Sequence, residues 1–463
     1  MKKLCFAFAF TLAPMLVHAQ ADSIAPNPSN MSTQSAVEFA KGMKAGWNVG
    51  NSLEATGGET NWGNPKISQL LIDSVKAAGF NAIRLPVAWS RFSNASTYKI
   101  DSGWMARVEA VVNYALKRDL YVIMNEHWDG GWLQPTKAAQ PEANKRLAAI
   151  WKQVAVHFRD YGDKLLFAGT NEVMVDGDYG TPTTEHVDVQ NGYNQIFVKT
   201  VRSTGGRNSY RYLVVQGFNT NISHAVSFLK IPGDEAKNRL MVEVHFYDPY
   251  EFTLKEASTI TQWGTGATDP SKVAAWGDES NVDAQFGKMK STFADKGYPV
   301  VIGEYGAISR TTVPDHAKYR LAWDKYVTES AAKNGFVPFY WDNGGTKDLT
   351  FGLFARSTGK QAYPDIVKAI VTAAGGTASV DGAGAGRPSG IRVSRRAGGI
   401  SIENPGSQAV TGSVLDSRGR VLGSIRIRPG THTYAVGAPG PGLRILAIHQ
   451  DARDTRYSWV QTD

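Results

Sequence analysis

Cysteine is all but absent from this 463-residue chain: there is one, Cys5. It lies inside a stretch that runs from Lys2-Lys3 through the apolar segment Leu4–Val17 to Ala19. A basic start, an apolar middle and a small-residue end are the marks of a secretory signal peptide, here residues 1–19. A chain cut after Ala19 has no thiol, which excludes disulfides, a thiol nucleophile and a cysteine-ligated metal. Cys5 precedes the apolar run rather than following it, so it is not a lipid-modified cysteine. The run is also too short for a membrane span, which needs about 20 apolar residues, and Pro14 and His18 close it. The expectation is a protein exported by a bacterium, secreted or periplasmic, with no membrane partner once the signal is removed.

Charge is scarce where chemistry is expected. The net charge is +8, but residues 377–463 carry eleven arginines, no lysine and six acidic residues. With the two signal lysines set aside, the segment between is nearly neutral. That suits a neutral substrate and leaves no basic footprint for nucleic acid. The arginines of the C-terminal segment alternate with apolar residues, as on the solvated face of strands. Apolar residues make up 42% of the chain and tryptophan occurs twelve times, enough for a large core and for aromatic binding surfaces.

After a flexible lead-in over residues 20–36, strand-like and helix-like segments alternate eight times between 37 and 375. The strands are Gly46–Gly50, Ala82–Pro86, Leu120–Asn125, Leu165–Gly169, Tyr212–Gln216, Leu240–His245, Val300–Gly303 and Val337–Trp341. Helical patterns between them include Ile67–Ala78, Trp104–Lys117, Glu142–Arg159, Val189–Arg202, Val282–Lys296, His316–Asn334 and Ala362–Ala373. The strands are continuously apolar rather than alternating, so both of their faces are buried. Eight such repeats predict an α/β fold, a (β/α)8 TIM barrel. A doubly wound open sheet is the alternative, but no glycine-rich phosphate turn follows the first strand. Composition shifts at Gly375-Gly376-Thr377 to a Gly/Ala/Ser-rich linker, 376–389. Short alternating segments over 390–450 predict a small antiparallel β-sandwich-like domain, and 451–463 reads as a tail.

Barrel active sites form at the C-terminal ends of the strands. Two glutamates stand there: Glu172 after Leu165–Gly169 and Glu304 after Val300–Gly303. A carboxyl pair at one barrel mouth is the equipment of glycoside hydrolysis, one protonating the leaving oxygen while the other attacks or activates water. Other strand ends add Arg84, Glu126-His127-Trp128, Asn171, His245-Phe246-Tyr247 and Tyr340-Trp341-Asp342. Tryptophans on loops, among them Trp62, Trp89, Trp128, Trp132, Trp263 and Trp276, are candidates to stack on pyranose C–H faces. Trp263 and Trp276 fall in a long loop, 248–280, expected to build the cleft.

Several of these motifs together resemble glycoside hydrolase family 5 of the cellulase clan: Ile83-Arg84-Leu85-Pro86, His127, Asn171-Glu172, His245-Phe246-Tyr247, Ile302-Gly303-Glu304-Tyr305-Gly306 and Tyr340-Trp341. Gly46-Trp47-Asn48-Val49-Gly50-Asn51-Ser52-Leu53-Glu54 and Asn61-Trp62-Gly63-Asn64-Pro65 resemble its bacterial endoglucanases. The resemblance spans about residues 37–375 and does not reach the C-terminal segment. Trp128 stands where a second histidine is common, with acidic Glu126 before His127, which bears on sugar specificity rather than chemistry. The resemblance implies that Glu172 is the acid/base and Glu304 the nucleophile of a retaining mechanism. It further implies that Arg84 and Tyr247 keep Glu304 anionic, that Asn171 binds the sugar 2-hydroxyl, that Trp341 underlies the reacting sugar, and that His127 and His245 hold hydroxyls and the acid/base. Glu172 is expected to have a raised pKa from burial and from the charge of Glu304. The implied partner is a β-1,4-glucan polysaccharide or oligosaccharide, with xyloglucan, mixed-linkage glucan and mannan as alternatives. No metal or other cofactor is required, and a monomer is expected. From other classes, a metal-dependent barrel hydrolase using His127 and His245 and a non-catalytic glucan-binding protein stay open.

Overall fold

The eight apolar runs become eight parallel strands: β1 Gly46–Asn48, β2 Ala82–Leu85, β3 Tyr121–Asn125, β4 Leu165–Ala168, β5 Leu213–Gln216, β6 Leu240–Phe246, β7 Val300–Tyr305 and β8 Val337–Tyr340. In the computed structural model they close in sequence order, β8 pairing back onto β1. The model describes residues 21–378 and then 392–396, 399–404, 410–416, 421–428, 430–434, 442–450 and 453–461. The signal segment with Cys5, and the linker from 379 on, lie outside the described residues.

Helices follow the strands as the hydrophobic periodicity requires: α1 Gln69–Ala77, α2 Ser102–Leu116, α3 Gln140–His157, α4 Thr184–Ser203, α5 Ile222–Phe228, α6 Glu279–Thr292, α7 His316–Lys333 and α8 Pro364–Ala373. Ser68, Asp101, Thr183, Asn221 and Asp278 cap five of them by accepting a first-turn N–H, each cap being worth about 1 kcal/mol. The apolar stripe of each helix packs on the outer face of the barrel. Trp151 of α3, fully buried between Phe167 and Phe197, donates its indole N–H to Gly169 O at 2.9 Å. Its loss would cost about 3–5 kcal/mol, the usual range for emptying such a site.

Inside the barrel a separate cluster of Ile123, Leu166, Met241, Val301 and Phe339 fills the lumen. A one-turn helix, Ala36–Ala40, plugs its N-terminal end, with Phe39 stacked on Tyr212 at 4.0 Å. The filled floor leaves the opposite, C-terminal mouth as the open end. The lead-in is not loose. Ile24–Pro26 pairs with Gly205–Gly206, and Ser32 N donates to Asp163. Both of those glycines have positive φ, and a Cβ on Gly205 would strike the Ile24 carbonyl.

Beyond the barrel lie two antiparallel sheets. Strands β9 Arg392–Arg396, β10 Gly399–Asn404 and β13 Gly430–Tyr434 form one. Strands β11 Val410–Asp416, β12 Val421–Ile427, β14 Gly442–Gln450 and β15 Arg453–Gln461 form the other. The stretch read as a tail therefore contains a strand, β15, paired with β14 along its whole length. Among the described residues no helix is long and apolar enough to cross a membrane.

Candidate active site

A one-residue bulge sets the centre of the mouth. Strands β6 and β7 pair Val244 with Ile302, then His245 with Glu304, so Gly303 is the extra residue. A side chain on Gly303 would collide with the Glu243 carboxylate, which is why glycine precedes the glutamate. The bulge re-aims Glu304 into the mouth, a common use of such irregularities beside active sites.

Glu304 accepts from Arg84 Nη1 at 2.9 Å and from the Tyr247 hydroxyl at 3.0 Å. Arg84, fully buried on β2, is the hub of the site. Its guanidinium also meets Asn48 Oδ1 at 3.0 Å, Asn171 Oδ1 at 2.6 Å and, as an ion pair, Glu243 Oε1 at 2.8 Å. Its contact with the Glu304 carboxylate is direct. Glu172 reaches into the cleft with 41% of its side chain exposed, and its Oε1 lies 2.7 Å from His245 Nδ1. A carboxylate oxygen of Glu172, a ring nitrogen of His245 and a carboxylate oxygen of Glu304 all fall within 4.8 Å of one another.

The electrostatics differ from the expectation in one respect. Desolvation by the cleft walls works to raise the pKa of Glu172, but the hydrogen bond and charge of His245 outweigh it and hold the carboxyl below its usual range. Burial pushes Glu304 above its usual range, against the pull of His245 and Arg84. Burial alone would depress His245. The charge on Glu304 and the bonds to Glu172 and Glu243 instead raise it to about 9. The imidazolium is the cation that the two-carboxylate reading left out. In the open cleft it and Glu172 share a proton as a pair, whose titration belongs to both groups.

His127 is half-buried, bonded at Nδ1 to the Asn125 amide at 3.0 Å and parallel to the Trp341 indole, with 5.9 Å between ring centroids. Burial and the charge of Arg84 hold it well below the usual histidine range, so it is neutral and presents Nε2–H to the cleft. Trp341 lies against Gly50, where a Cβ would come within 2.9 Å of the indole. Trp62, Trp128 and Trp276 are exposed. With half-buried Trp132, Leu133 and Met174, Trp128 lines a pocket beside Glu172.

Two tryptophans do not serve the cleft. Trp263 is 3% exposed and donates to Gly277 O at 2.7 Å. It packs on Tyr326 as part of the core and offers no face to a sugar. Trp89 is fully buried and donates to Asn125 O. Glu126 is buried at the base of the pocket beside Glu172 and accepts from Trp132 Nε1 at 3.2 Å, which fixes the loop after β3.

Sequence reasoning assigned no role to Glu243 and Asn48, which bind the hub directly, or to Asn125 and Gln216, which hold its partners Asn171 and Glu243. Strand parity was the available signal, since residues 243 and 245 share one face of β6. A metal would draw on Glu172, His245 and Glu304. The Arg84 guanidinium, 2.9 Å from Glu304 and 3.4 Å from His245 Nε2, already supplies a fixed cation there.

A closed barrel with an arginine-held carboxylate facing a second, exposed carboxyl across its mouth defines a glycosidase of the two-carboxylate class. The family model described as cellulase, glycosyl hydrolase family 5, matches residues 46–347. A xyloglucan-specific endo-beta-1,4-glucanase of Bacteroides ovatus is 44% identical over 374 residues, 77% of this chain and 73% of the relative. Endoglucanase A of Paenibacillus barcinonensis is 40% identical, covering 74% of this chain and 91% of the relative. The solved Bacteroides ovatus xyloglucanase, in complex with a XXXG heptasaccharide, superposes with a TM-score of 0.73 at 43% identity, over 76% of this chain and 79% of that one. The chain belongs to glycosyl hydrolase family 5, and it is a glycoside hydrolase of the endoglucanase type.

Proposed function

We propose that this enzyme cleaves internal β-1,4 bonds of a glucan backbone with retention of configuration. Glu304 attacks the anomeric carbon while Glu172 gives its proton to the departing glycosidic oxygen. Water then attacks the glycosyl ester, losing a proton to Glu172 and releasing the Glu304 carboxylate. The observation that carries this reading is the 4.8 Å limit on the Glu172–His245–Glu304 cluster. Retaining pairs stand about 5–5.5 Å apart, whereas inverting pairs leave room for a water at about 6.5–9.5 Å. Arg84 and Tyr247 supply fixed donors to the nucleophile, a preorganisation that costs no rearrangement during reaction. Once Glu304 is esterified its charge is gone, the Glu172–His245 pair holds its proton less tightly, and Glu172 becomes a base.

Trp341 supports the reacting sugar, His127 a hydroxyl and Asn171 the 2-hydroxyl. Trp62 and Trp128 are platforms for neighbouring sugars. Unbranched β-1,4-glucan is the first substrate. Xyloglucan is the second, favoured by likeness to xyloglucan-specific relatives and by the aromatic pocket beside Glu172. Product sizing on carboxymethylcellulose, xyloglucan, lichenan and mannan, with and without chelator, tests this. Early mid-length products on the first two support it. Loss of activity to chelator, or release of short ends only, overturns it. The basic and apolar start of the chain supports export, and N-terminal sequencing of protein from the culture medium should begin near Gln20.

A further inference from the structure

Glu243 has no place in the scheme above, yet it is fully buried under the reacting groups. We propose that Glu243 is a positioning residue for the acid/base: through His245 its carboxylate sets how tightly the proton shared with Glu172 is held. This rests on the acid/base role proposed for Glu172. The geometry is a chain of three groups, with Glu172 Oε1 2.7 Å from His245 Nδ1 and His245 Nε2 3.3 Å from Glu243 Oε1. Each ring nitrogen thus faces a carboxylate, the arrangement that keeps an imidazole doubly protonated and fixes its plane.

Among the described residues, the charged groups around His245 can be named. Arg84, on β2, lies 3.4 Å from Nε2 and opposes protonation. It is itself paired with Glu243 at 2.8 Å and with Glu304 at 2.9 Å, so its charge is largely spent. Glu304, on β7, lies 3.7 Å from Nδ1. The Tyr247 hydroxyl is directed to Glu304. Beneath, on β5, neutral Gln216 donates to Glu243 Oε2 at 2.8 Å and accepts from Thr170 through its own Oε1. That fixes the Gln216 amide and orients Glu243 with one oxygen for Gln216 and one for Arg84 and His245. Glu243 meets no substrate, but a negative charge fixed there favours the shared proton wherever it sits in the pair. Burial alone would raise the pKa of Glu243, but the charge of Arg84 and the bonds to His245 and Gln216 outweigh it and depress it to about 2, so its charge is constant across the working range.

The sign follows. Removing that charge loosens the proton on the pair, so the basic limb of kcat/KM against pH should move to lower pH. For Glu243→Gln we expect a shift of about one unit or more, the scale of losing one adjacent buried charge. The double variant Gln216→Glu/Glu243→Gln moves the charge one side chain away and should bring the limb most of the way back. It also removes the clash of two amide donors that the single variant creates. In the wild-type enzyme, ¹⁵N shifts of the His245 ring should show both nitrogens protonated through neutral pH, a readout that requires no variant to fold. Uniformly lower activity with unmoved limbs, or a His245 ring that loses a proton near pH 6.5 in wild type, would overturn the proposal. Glu172→Ala separates the two readings. Rescue of that variant by azide with unmoved limbs in Glu243→Gln sinks only the role of Glu243, whereas failure of rescue sinks the acid/base assignment beneath it.

Discussion

The hydroxyl of Tyr247 and Oε2 of Glu304 are 3.0 Å apart, and burial with the charge on Glu304 keeps the phenol protonated far above its usual range. Tyr247 is therefore a permanent donor that favours the ionised nucleophile. Tyr247→Phe keeps the ring and loses only that bond. A hydrogen bond to a charged group is worth about 1.5–3 kcal/mol, so kcat/KM should fall roughly 10- to 100-fold. Because the bond lowers the pKa of Glu304, its loss should also move the acidic limb of the pH profile upward. A variant with normal activity and an unmoved acidic limb would show that the contact is not made in solution.

The two carboxyls should fail differently when removed. Glu304→Gln should reduce turnover of every substrate to background while leaving oligosaccharide binding in place. Glu172→Ala should still form the glycosyl-enzyme from aryl glycosides with good leaving groups, which need no proton. Added azide should then restore turnover and give the β-glycosyl azide. An α-azide, read by NMR, would require the roles to be exchanged.

The parts of this molecule legible beforehand were those with a strong local signature. Val300–Ile302 and Leu165–Ala168 are apolar on both faces, and only a strand buried on both sides asks for that. Helix α5, Ile222–Phe228, escaped notice because two turns are too few to show a period. Glu304 and Glu172 stood out as the first acids after their strands. Glu243 did not, because it lies inside β6, where a charged residue among Val242 and Val244 makes sense only once Arg84 is seen beneath the mouth. Trp263 was misjudged because an indole on a long loop reads alike whether it faces a sugar or folds inward. The relative acidities of Glu172 and Glu304 depended on a cation, His245, brought between them by a bulge that no residue pattern announces.

The two kinds of tryptophan can be told apart. Trp128 is 51% exposed beside Glu172 and Trp263 is 3% exposed. Trp128→Ala should raise KM for polymer about 3- to 10-fold, the scale of one stacking contact, with an unchanged melting temperature. Trp263→Ala should lower stability by about 3–5 kcal/mol and leave KM near normal below the melting transition. Paired kinetics and thermal melts decide it, and the reverse pattern would put Trp263 back in the cleft.

Asp342, directly after Trp341, tests how the platform is held. Its buried carboxylate accepts from Trp47 Nε1 at 3.0 Å, Leu353 N at 2.7 Å and Gly344 N at 2.7 Å. It also pairs with Arg356 Nη2 at 3.0 Å. The same nitrogen of Arg356 donates to Gly50 O at 3.0 Å, and Gly50 is the residue against which the Trp341 indole lies. One ion pair therefore fixes both the strand end that carries the platform and the backbone under it. Asp342→Asn keeps the size but turns an acceptor into a donor facing Leu353 N or Arg356, and leaves Arg356 buried without its counter-charge. Breaking a buried pair from one side costs about 3–5 kcal/mol, so the melting temperature should drop by several degrees. At temperatures where the variant is folded, a tilted platform should cost kcat/KM on polymer more than it costs binding of a product oligosaccharide that does not occupy the reacting-sugar position. Unchanged melting would mean that Arg356 is held by the carbonyls alone, and the link from Asp342 through Arg356 to Trp341 would be lost.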